Sequence, residues 1–341
     1  MSSQGVILRL ARSICSSAGE GRGNGSALSR RLVLASPAVL LPGAALAQWP
    51  DRPLRLVAPF PPGSGTDLLA RILSEPLSHL LGQPVVVENR AGGNGVVGAQ
   101  AVALAPADGT TLLMLGVSVA AISPHTVPRL PYNTLRDFVP IGMIAEQPYI
   151  LVVPPGAPGG DLAGWLEAAK GRDLTYAYGN AGSQIMGAML AKMAGLNLTG
   201  VPYRGGAEAL TDVSAGRVDC NFADFGAGIA QHRGGRVRAL AESMAKPFPL
   251  SPELPPLATR VPGFDADVWL AMAAPAATPA PVVAKLSATL AKLVREPGFG
   301  ERLASLGLAP LGMGASEFGG FLEKQVALWG ERVRMAGMQA G

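Results

Sequence analysis

Cysteine, histidine and charge are all scarce in this chain. Among its 341 residues there are two cysteines, Cys15 and Cys220, three histidines, His79, His125 and His232, and only 15% charged residues. Histidines this far apart, with no paired thiols, spell no metal-ligand cluster, which argues against a metalloenzyme. No G-x-S-x-G elbow is present, so the commonest strand-turn-helix setting for a nucleophilic serine is missing. Long apolar runs are also lacking. The best candidate, Leu32 to Leu46, is broken by Pro37 and Pro42 and falls short of the roughly 20 residues needed to span a bilayer.

That short run has another reading. Arg30 and Arg31 precede it and the small-residue triplet Ala45-Leu46-Ala47 ends it, the pattern of a cleavable export signal with the cut before Gln48. Ser29 to Leu34 also matches a twin-arginine motif, although paired arginines occur in ordinary signals, so the export route stays open. The stretch before Ser29 is long for a signal, which places the true start either at Met1 or downstream of it.

Residues 1–47 carry five arginines and one glutamate, and without them 23 basic and 23 acidic residues remain of the original 28 and 24. The apparent basicity belongs to the signal, and a nucleic-acid or anionic-membrane partner loses its support. Cys220 is then the sole cysteine. It has no internal disulfide partner, and its neighbours Val218 and Phe222 mark it as a buried strand residue.

The 294 residues after the signal exceed the usual size of one domain, and two domains are expected. Strand-like runs at Leu54–Ala58, Val85–Val87, Leu112–Leu115, Ile150–Val153, Val201–Tyr203, Val218–Phe222 and Val237–Ala241 alternate with helix-like segments. That order predicts an α/β fold with mainly parallel sheets. Met186, Met189, Leu190 and Met193, like Leu286, Leu290 and Leu293, fall at helical spacing and read as core faces. The 44 glycines and 30 prolines lie between these segments and mark turns.

The most informative turn is Leu54 to Asp67, L-R-L-V-A-P-F-P-P-G-S-G-T-D. It joins a strand to a helix, where open α/β sheets place ligands beyond the carboxyl ends of their strands. Gly63 and Gly65 permit close main-chain approach, while Ser64, Thr66 and Asp67 offer short polar groups. A structural role competes, as a Ser64-x-x-Asp67 capping box or a Thr66 N-cap.

Two motifs with enzymatic associations fit poorly. Gly93 to Gly98 spells G-x-G-x-x-G, but it follows the second strand after an intervening Asn89-Arg90-Ala91-Gly92, and Asp108 comes too early and in a turn to close a dinucleotide site. Ser243-x-x-Lys246 echoes a β-lactamase pair without its partner motifs. No cofactor is expected.

A series of segments then resembles the tripartite tricarboxylate transporter substrate-binding proteins, also called Bug receptors. It runs W-P-D-R-P-L-R-L-V-A-P-F-P-P-G-S-G-T-D (Trp49 to Asp67), G-Q-P-V-V-V-E-N-R-A-G-G-N-G-V-V-G-A (Gly82 to Ala99), A-D-G-T-T-L-L-M (Ala107 to Met114) and L-P-Y-N-T-L-R-D-F-V-P-I (Leu130 to Ile141). It continues with V-P-Y-R-G-G-A-E-A-L-T-D (Val201 to Asp212), G-R-V-D (Gly216 to Asp219) and A-P-A-A-T-P-A-P-V-V (Ala274 to Val283). The resemblance implies an α/β fold of the type II periplasmic-binding-protein kind, with two α/β lobes, a central cleft and two crossover strands. Lobe 1 would hold residues 48–146 and 272–341, and lobe 2 residues 147–271.

Carried over residue by residue, the resemblance implies a ligand site made of Phe60, Gly63, Ser64, Gly65, Thr66, Asp67 and Ser118 from the first lobe. The second lobe would add Tyr178, Gly179, Asn180, Ala181, Gly182, Ser183 and Gln184, with Tyr203 and Asp224 at the ends of later strands. Main-chain groups and ordered water would hold the solute's carboxylate, water separating it from Asp67. Ser183 has a competing role as the N-cap of the helix that follows.

The chain departs from the family pattern in its second-lobe loop, which is shorter and has fewer hydroxyls. Ile185 stands where a histidine is common and Ala223 where an aspartate is often seen, which suggests a less polar ligand tail or looser selection. The implied function is a periplasmic solute-binding receptor, not an enzyme, that takes a small carboxylate and hands it to transporter membrane subunits or a sensor kinase, acting as a monomer without nucleic acid. A periplasmic enzyme acting on a small organic acid and a structural or adhesion module are the competing classes.

Overall fold

The computed structural model describes residues 49–338. The export signal, its cleavage site, the twin-arginine motif and Cys15 lie outside the described residues.

The chain opens with β1 (Leu54–Ala58), α1 (Gly65–Leu81), β2 (Val85–Asn89), α2 (Val96–Ala103) and β3 (Thr111–Gly116). Helix α1 buries Leu69, Ala70, Leu73, Leu77 and Leu81, the three- and four-residue spacing of one helical face. After a π-helical turn at Ser118–Ile122 come α3 (Ser123–Thr126), α4 (Thr134–Asp137) and the 16-residue strand β4 (Phe138–Val153). A second βα series follows: α5 (Leu162–Ala169), β5 (Asp173–Tyr178), α6 (Ala181–Ala194), β6 (Asn197–Pro202), α7 (Gly206–Ser214), β7 (Cys220–Asp224), α8 (Phe225–Arg233) and β8 (Arg238–Glu242). Strand β9 (Asp267–Pro275) then leads to α9 (Ala280–Val294), α10 (Pro297–Ser305), β10 (Ala309–Pro310) and α11 (Ala315–Met335).

The strands are ordered β2-β1-β3-β9-β4-β7-β5-β6, with β8 and β10 also paired to β4. Within each βα series the pairing is parallel, β1 with β2 and β3, and β5 with β6 and β7. Both β4 and β9 run antiparallel to every strand they touch. The sheet is therefore mixed, correcting the expectation of mainly parallel pairing. The reason is the length of β4: its first half pairs with β9 from Phe138 to Pro148, and its second half with β7 and β8 from Tyr149 to Val153. The sequence signal at Ile150–Val153 captured only the distal end of this strand, because Pro140 and Pro148 interrupt the run, while β9 was not anticipated at all.

Hydrophobic cores flank the strands. One packs α1, α9 and α10 on β1, β3 and the first half of β4, through residues such as Leu69, Leu73, Met114, Leu290 and Leu303. Cys220 is fully buried in β7, as its neighbours suggested, and Met186 and Met189 are core residues of α6. Trp269 on β9 has no exposed surface and meets Phe318 and Phe321 of α11 edge-on, at 5.6 and 5.8 Å between ring centroids. Such contacts fasten the C-terminal helix to the central strand.

Trp269→Ala should lower stability by about 3–5 kcal/mol, the usual loss for a large buried aromatic, read as a shift in urea midpoint at unchanged slope. Trp269→Phe should cost less, because it also removes an indole N–H that finds no acceptor.

Candidate functional site

A cleft of about 550 Å³ opens where the loops at the carboxyl ends of β1, β3, β5, β6 and β7 converge over β4 and β9. The loop after β1 supplies its first wall. Gly63 turns the chain with a left-handed φ of +82°, and Ser64 caps α1 by accepting from the Asp67 N–H at 3.3 Å. The cap is thus Ser64 and not Thr66. Asp67 does not return a bond to Ser64; its Oδ2 accepts from the Gly63 N–H at 2.8 Å.

Asp67 itself faces away from the cleft. Its buried carboxylate also accepts from Arg71 Nε at 3.0 Å and Asn89 Nδ2 at 2.8 Å, and the same Asn89 amide donates to the Phe60 carbonyl. Burial opposes ionisation here, but the Arg71, Gly63 and Asn89 donors outweigh it and hold the acid below its usual value. The protein's own donors thus compensate the Asp67 charge and lessen its repulsion of an anionic ligand.

The second wall is the loop after β5. Here too the cap differs from expectation: Asn180 caps α6, its Oδ1 accepting from the Ser183 N–H at 2.9 Å, while Ser183 Oγ donates to the Asn180 carbonyl. The same Asn180 Oδ1 accepts from the Tyr149 hydroxyl at 2.9 Å. With that oxygen engaged twice, Asn180 has its amide N–H groups left to offer. Gly179 lies against the backbone of Gly205 and Gly206, leaving no room for a Cβ, and this contact locks the β5 loop to the β6 loop.

Of the residues carried over from the resemblance, Phe60, Gly63, Ser64, Gly65, Thr66, Ser118, Gly179, Asn180 and Asp224 line the cleft. Asp67, Tyr178, Ala181, Gly182, Ser183, Gln184 and Tyr203 do not. Tyr178 packs on Tyr176, Tyr203 donates to Asp212 at 2.8 Å, and Ala181, Gly182 and Ser183 are buried in the first turn of α6. Gln184 is half-buried one position further on, its backbone N–H bonded to the Asn180 carbonyl. Ile185 is a core residue, whereas Ala223 lines the cleft.

Sequence reasoning missed Gln147, Tyr149, Arg204, Leu210, Val268, Leu270 and Leu306, which also line it. The signal for the first two was a polar Gln-Pro-Tyr step heading an apolar run; that for Arg204 was a cation directly after β6. Among the described residues that line the cleft, Arg204 is the only basic one and Asp224 the only acidic one. Asp224 pairs across the strands with Tyr149, and burial pushes its carboxyl up, partly offset by the Tyr149 hydroxyl. Burial likewise raises the Tyr149 hydroxyl well above its usual value, so it serves as a neutral donor.

The two enzymatic motifs have structural explanations. A Cβ on Gly98 would meet the Arg90 carbonyl at 2.8 Å and Pro59 Cα at 2.9 Å, so close packing of α2 on the loop after β1 accounts for this glycine without a ligand. Ser243 is fully buried, donating to the Ala266 carbonyl at 2.6 Å and accepting from the Tyr149 N–H at 3.0 Å.

The family model described as tripartite tricarboxylate transporter family receptor matches residues 69–338. A protein of the tcbD-tcbE intergenic region of Pseudomonas sp. (strain P51) is 38% identical over 301 residues, covering 85% of this chain and 89% of its own. The solved structure of R. palustris Rpa4515 with adipate is 31% identical with a TM-score of 0.81, covering 86% of this chain and 100% of that one. That of the periplasmic binding protein BugD is 30% identical at 0.79, with coverages of 86% and 100%.

Two outcomes follow from the loop chemistry. Asn180→Ala should destabilise the protein by about 1–2 kcal/mol through loss of the cap, and a cycle with Tyr149→Phe should show coupling, because both remove one hydrogen bond. Asp67 has a folded pKa below the unfolded value of 3.8, so its stabilisation is complete above that pH and is lost as pH falls towards the folded value. Asp67→Asn should therefore flatten the acid limb of a stability-against-pH curve in that window, measured by urea unfolding at stepped pH.

Proposed function

The chain belongs to the tripartite tricarboxylate transporter receptor family, and from that premise we propose that it captures a small organic acid in the cleft and presents it to a membrane transporter or a sensor. The observation that carries this reading is the makeup of the cleft. Its walls come from loops on both sides of the β4–β9 pair, and its polar groups are mostly neutral donors, Ser118, Thr66 and the Asn180 amide, with Arg204 as the lone cation. Such groups suit a carboxylate held by hydrogen bonds more than by direct ion pairing.

The solute would be a carboxylate, as adipate is in the related R. palustris structure. Lobe 1 would comprise residues 48–146 and 272–341 and lobe 2 residues 147–271, the second following from where β4 and β9 pass between the two βα series. A ligand touching both walls favours the closed arrangement by its differential affinity for it, and release reopens the cleft. The export pattern at residues 30–47 and the periplasmic relative BugD favour a periplasmic location, with the receptor working as a monomer. Binding without turnover is the expected chemistry. Ser243 is committed to backbone bonds on both sides, and among the described residues the cleft lining holds no histidine, cysteine or lysine.

A thermal-shift screen of mono-, di- and tricarboxylates on the mature protein tests the reading. A true ligand should raise the melting temperature progressively with concentration, and Thr66→Val should weaken it by roughly tenfold, the worth of one hydrogen bond to a charged group. Ligand recovered unaltered at one equivalent favours the receptor; turnover favours an enzyme. If no acid shifts the transition and none copurifies, the carboxylate reading fails.

A further inference from the structure

Tyr149 stands where β4 meets the second wall of the cleft, and it is held at both ends. At the backbone, its N–H donates to Ser243 Oγ at 3.0 Å and its carbonyl accepts from the Ser243 N–H at 2.9 Å. Ser243 is bonded in the same double fashion to Ala266, just before β9. Its Oγ donates to the Ala266 carbonyl at 2.6 Å, and its own carbonyl accepts from the Ala266 N–H at 2.9 Å. The serine thus rivets Tyr149 to the start of β9. At the other end, the buried ring directs its hydroxyl to Asn180 Oδ1 at 2.9 Å.

The Asn180 atom that receives this bond also receives the Ser183 N–H at 2.9 Å, which identifies it as the oxygen. With two donors on that oxygen the amide is held against rotation, and its N–H groups are the part left for the cleft it lines. Gly182 supplies the space. A Cβ there would lie 3.1 Å from the Tyr149 hydroxyl and 3.2 Å from Asn180 Oδ1, so this glycine serves the bond without lining the cleft. Asp224 faces Tyr149 across the strands, but burial pushes its carboxyl up, which makes it the weaker competitor for the single hydroxyl hydrogen.

We propose that Tyr149 is a positioning residue for anion capture: with the Ser183 N–H it occupies Asn180 Oδ1 and makes the Asn180 amide a donor-only group, so that the cleft takes an ionised acid in preference to the neutral amide of the same shape. This rests on the carboxylate reading of the cleft. A carboxylate offers acceptors alone, and hydrogen bonds to it are charge-assisted. A carboxamide brings two N–H donors of its own, which meet no acceptor on Asn180. Loss of the Tyr149 hydroxyl frees one lone pair of Oδ1 and leaves the amide tethered by a single bond. The order of donors is then lost where the solute needs it.

The test titrates hexanoate and adipate, with their neutral counterparts hexanamide and adipamide, calorimetrically into the wild-type protein, Tyr149→Phe and Gly182→Ala. Unfolding midpoints establish that each variant is folded. Gly182→Ala deletes no polar group and introduces a better helix former, so it carries the test should Tyr149→Phe fold poorly. The wild type should favour each acid that it binds over the matching amide by about tenfold or more. Tyr149→Phe should weaken the acids by about tenfold and leave the amides unchanged, and Gly182→Ala should act in the same direction by crowding the bond. The double variant should bind acids no worse than Tyr149→Phe alone, since both changes act through one hydrogen bond. An acid-to-amide ratio that survives Tyr149→Phe, or acid affinities that stay at the wild-type level in both variants, would overturn the role of Tyr149 and leave the carboxylate receptor standing. Failure of every acid to bind the wild type would remove both readings together.

Discussion

The antiparallel pairing of β4 with β9 is the constraint on which the rest of this molecule depends. Among the described residues these two strands link the two βα series, and their residues form the cleft floor: Gln147 and Tyr149 from one, Val268 and Leu270 from the other. A strand alternates its side chains between faces, so polar positions aimed at the cleft stand next to apolar positions aimed into the core, such as Ile150 and Trp269. The register between them carries irregularities at Pro140/Gly142 and Met143/Ala145, which lie before the cleft residues. From Ala145 to Pro148 the pairing is continuous, and the floor is therefore held firmly. Arg332 of α11 reinforces it from outside, buried against Trp329 and 3.4 Å from Asp267 at the start of β9.

Much of this was legible in the sequence, for physical reasons that differ by element. Strands β1 and β3 are short, apolar and bounded by turn residues, so local composition suffices to find them. The strand-turn-helix step at Leu54–Asp67 could be placed because proline fixes φ, glycine admits left-handed φ and short hydroxyl side chains cap helices. Strands β4 and β9 resisted because what makes them strands is pairing over long sequence separation, Phe138 with Pro275 for instance, and two prolines and a run of alanines mask the pattern. Their cleft residues were lost with them. The cap of α6 was misplaced by three residues, and that of α1 left between Ser64 and Thr66, for a related reason. Ser64, Thr66, Asn180 and Ser183 are all competent, and the choice is decided by which side chain reaches an N–H in three dimensions.

The role of Asp67 shows how a residue in a binding motif can act without touching a ligand. Its carboxylate gathers the Gly63 N–H, Arg71 and Asn89, and Asn89 in turn holds the Phe60 carbonyl, so both ends of the wall-forming loop are tied to one buried charge. A loop fixed in this way gives up little conformational freedom when a solute arrives, and less of the interaction energy is lost to ordering.

The electrostatics of the cleft follow from that arrangement. A carboxylate buried beside an anion site would ordinarily weaken it, yet Asp67 is buried outside the cleft lining and paired with Arg71, and among the described residues Asp224 is the only acid that lines the cleft. Burial pushes Asp224 towards its neutral form, and Tyr149, a donor kept neutral by its own burial, stands beside it. Arg204 then contributes a positive charge with no carboxylate paired to it. The cleft consequently favours an anion although residues 48–341 carry equal numbers of acids and bases, because selectivity is set by where the charges are held and not by their sum.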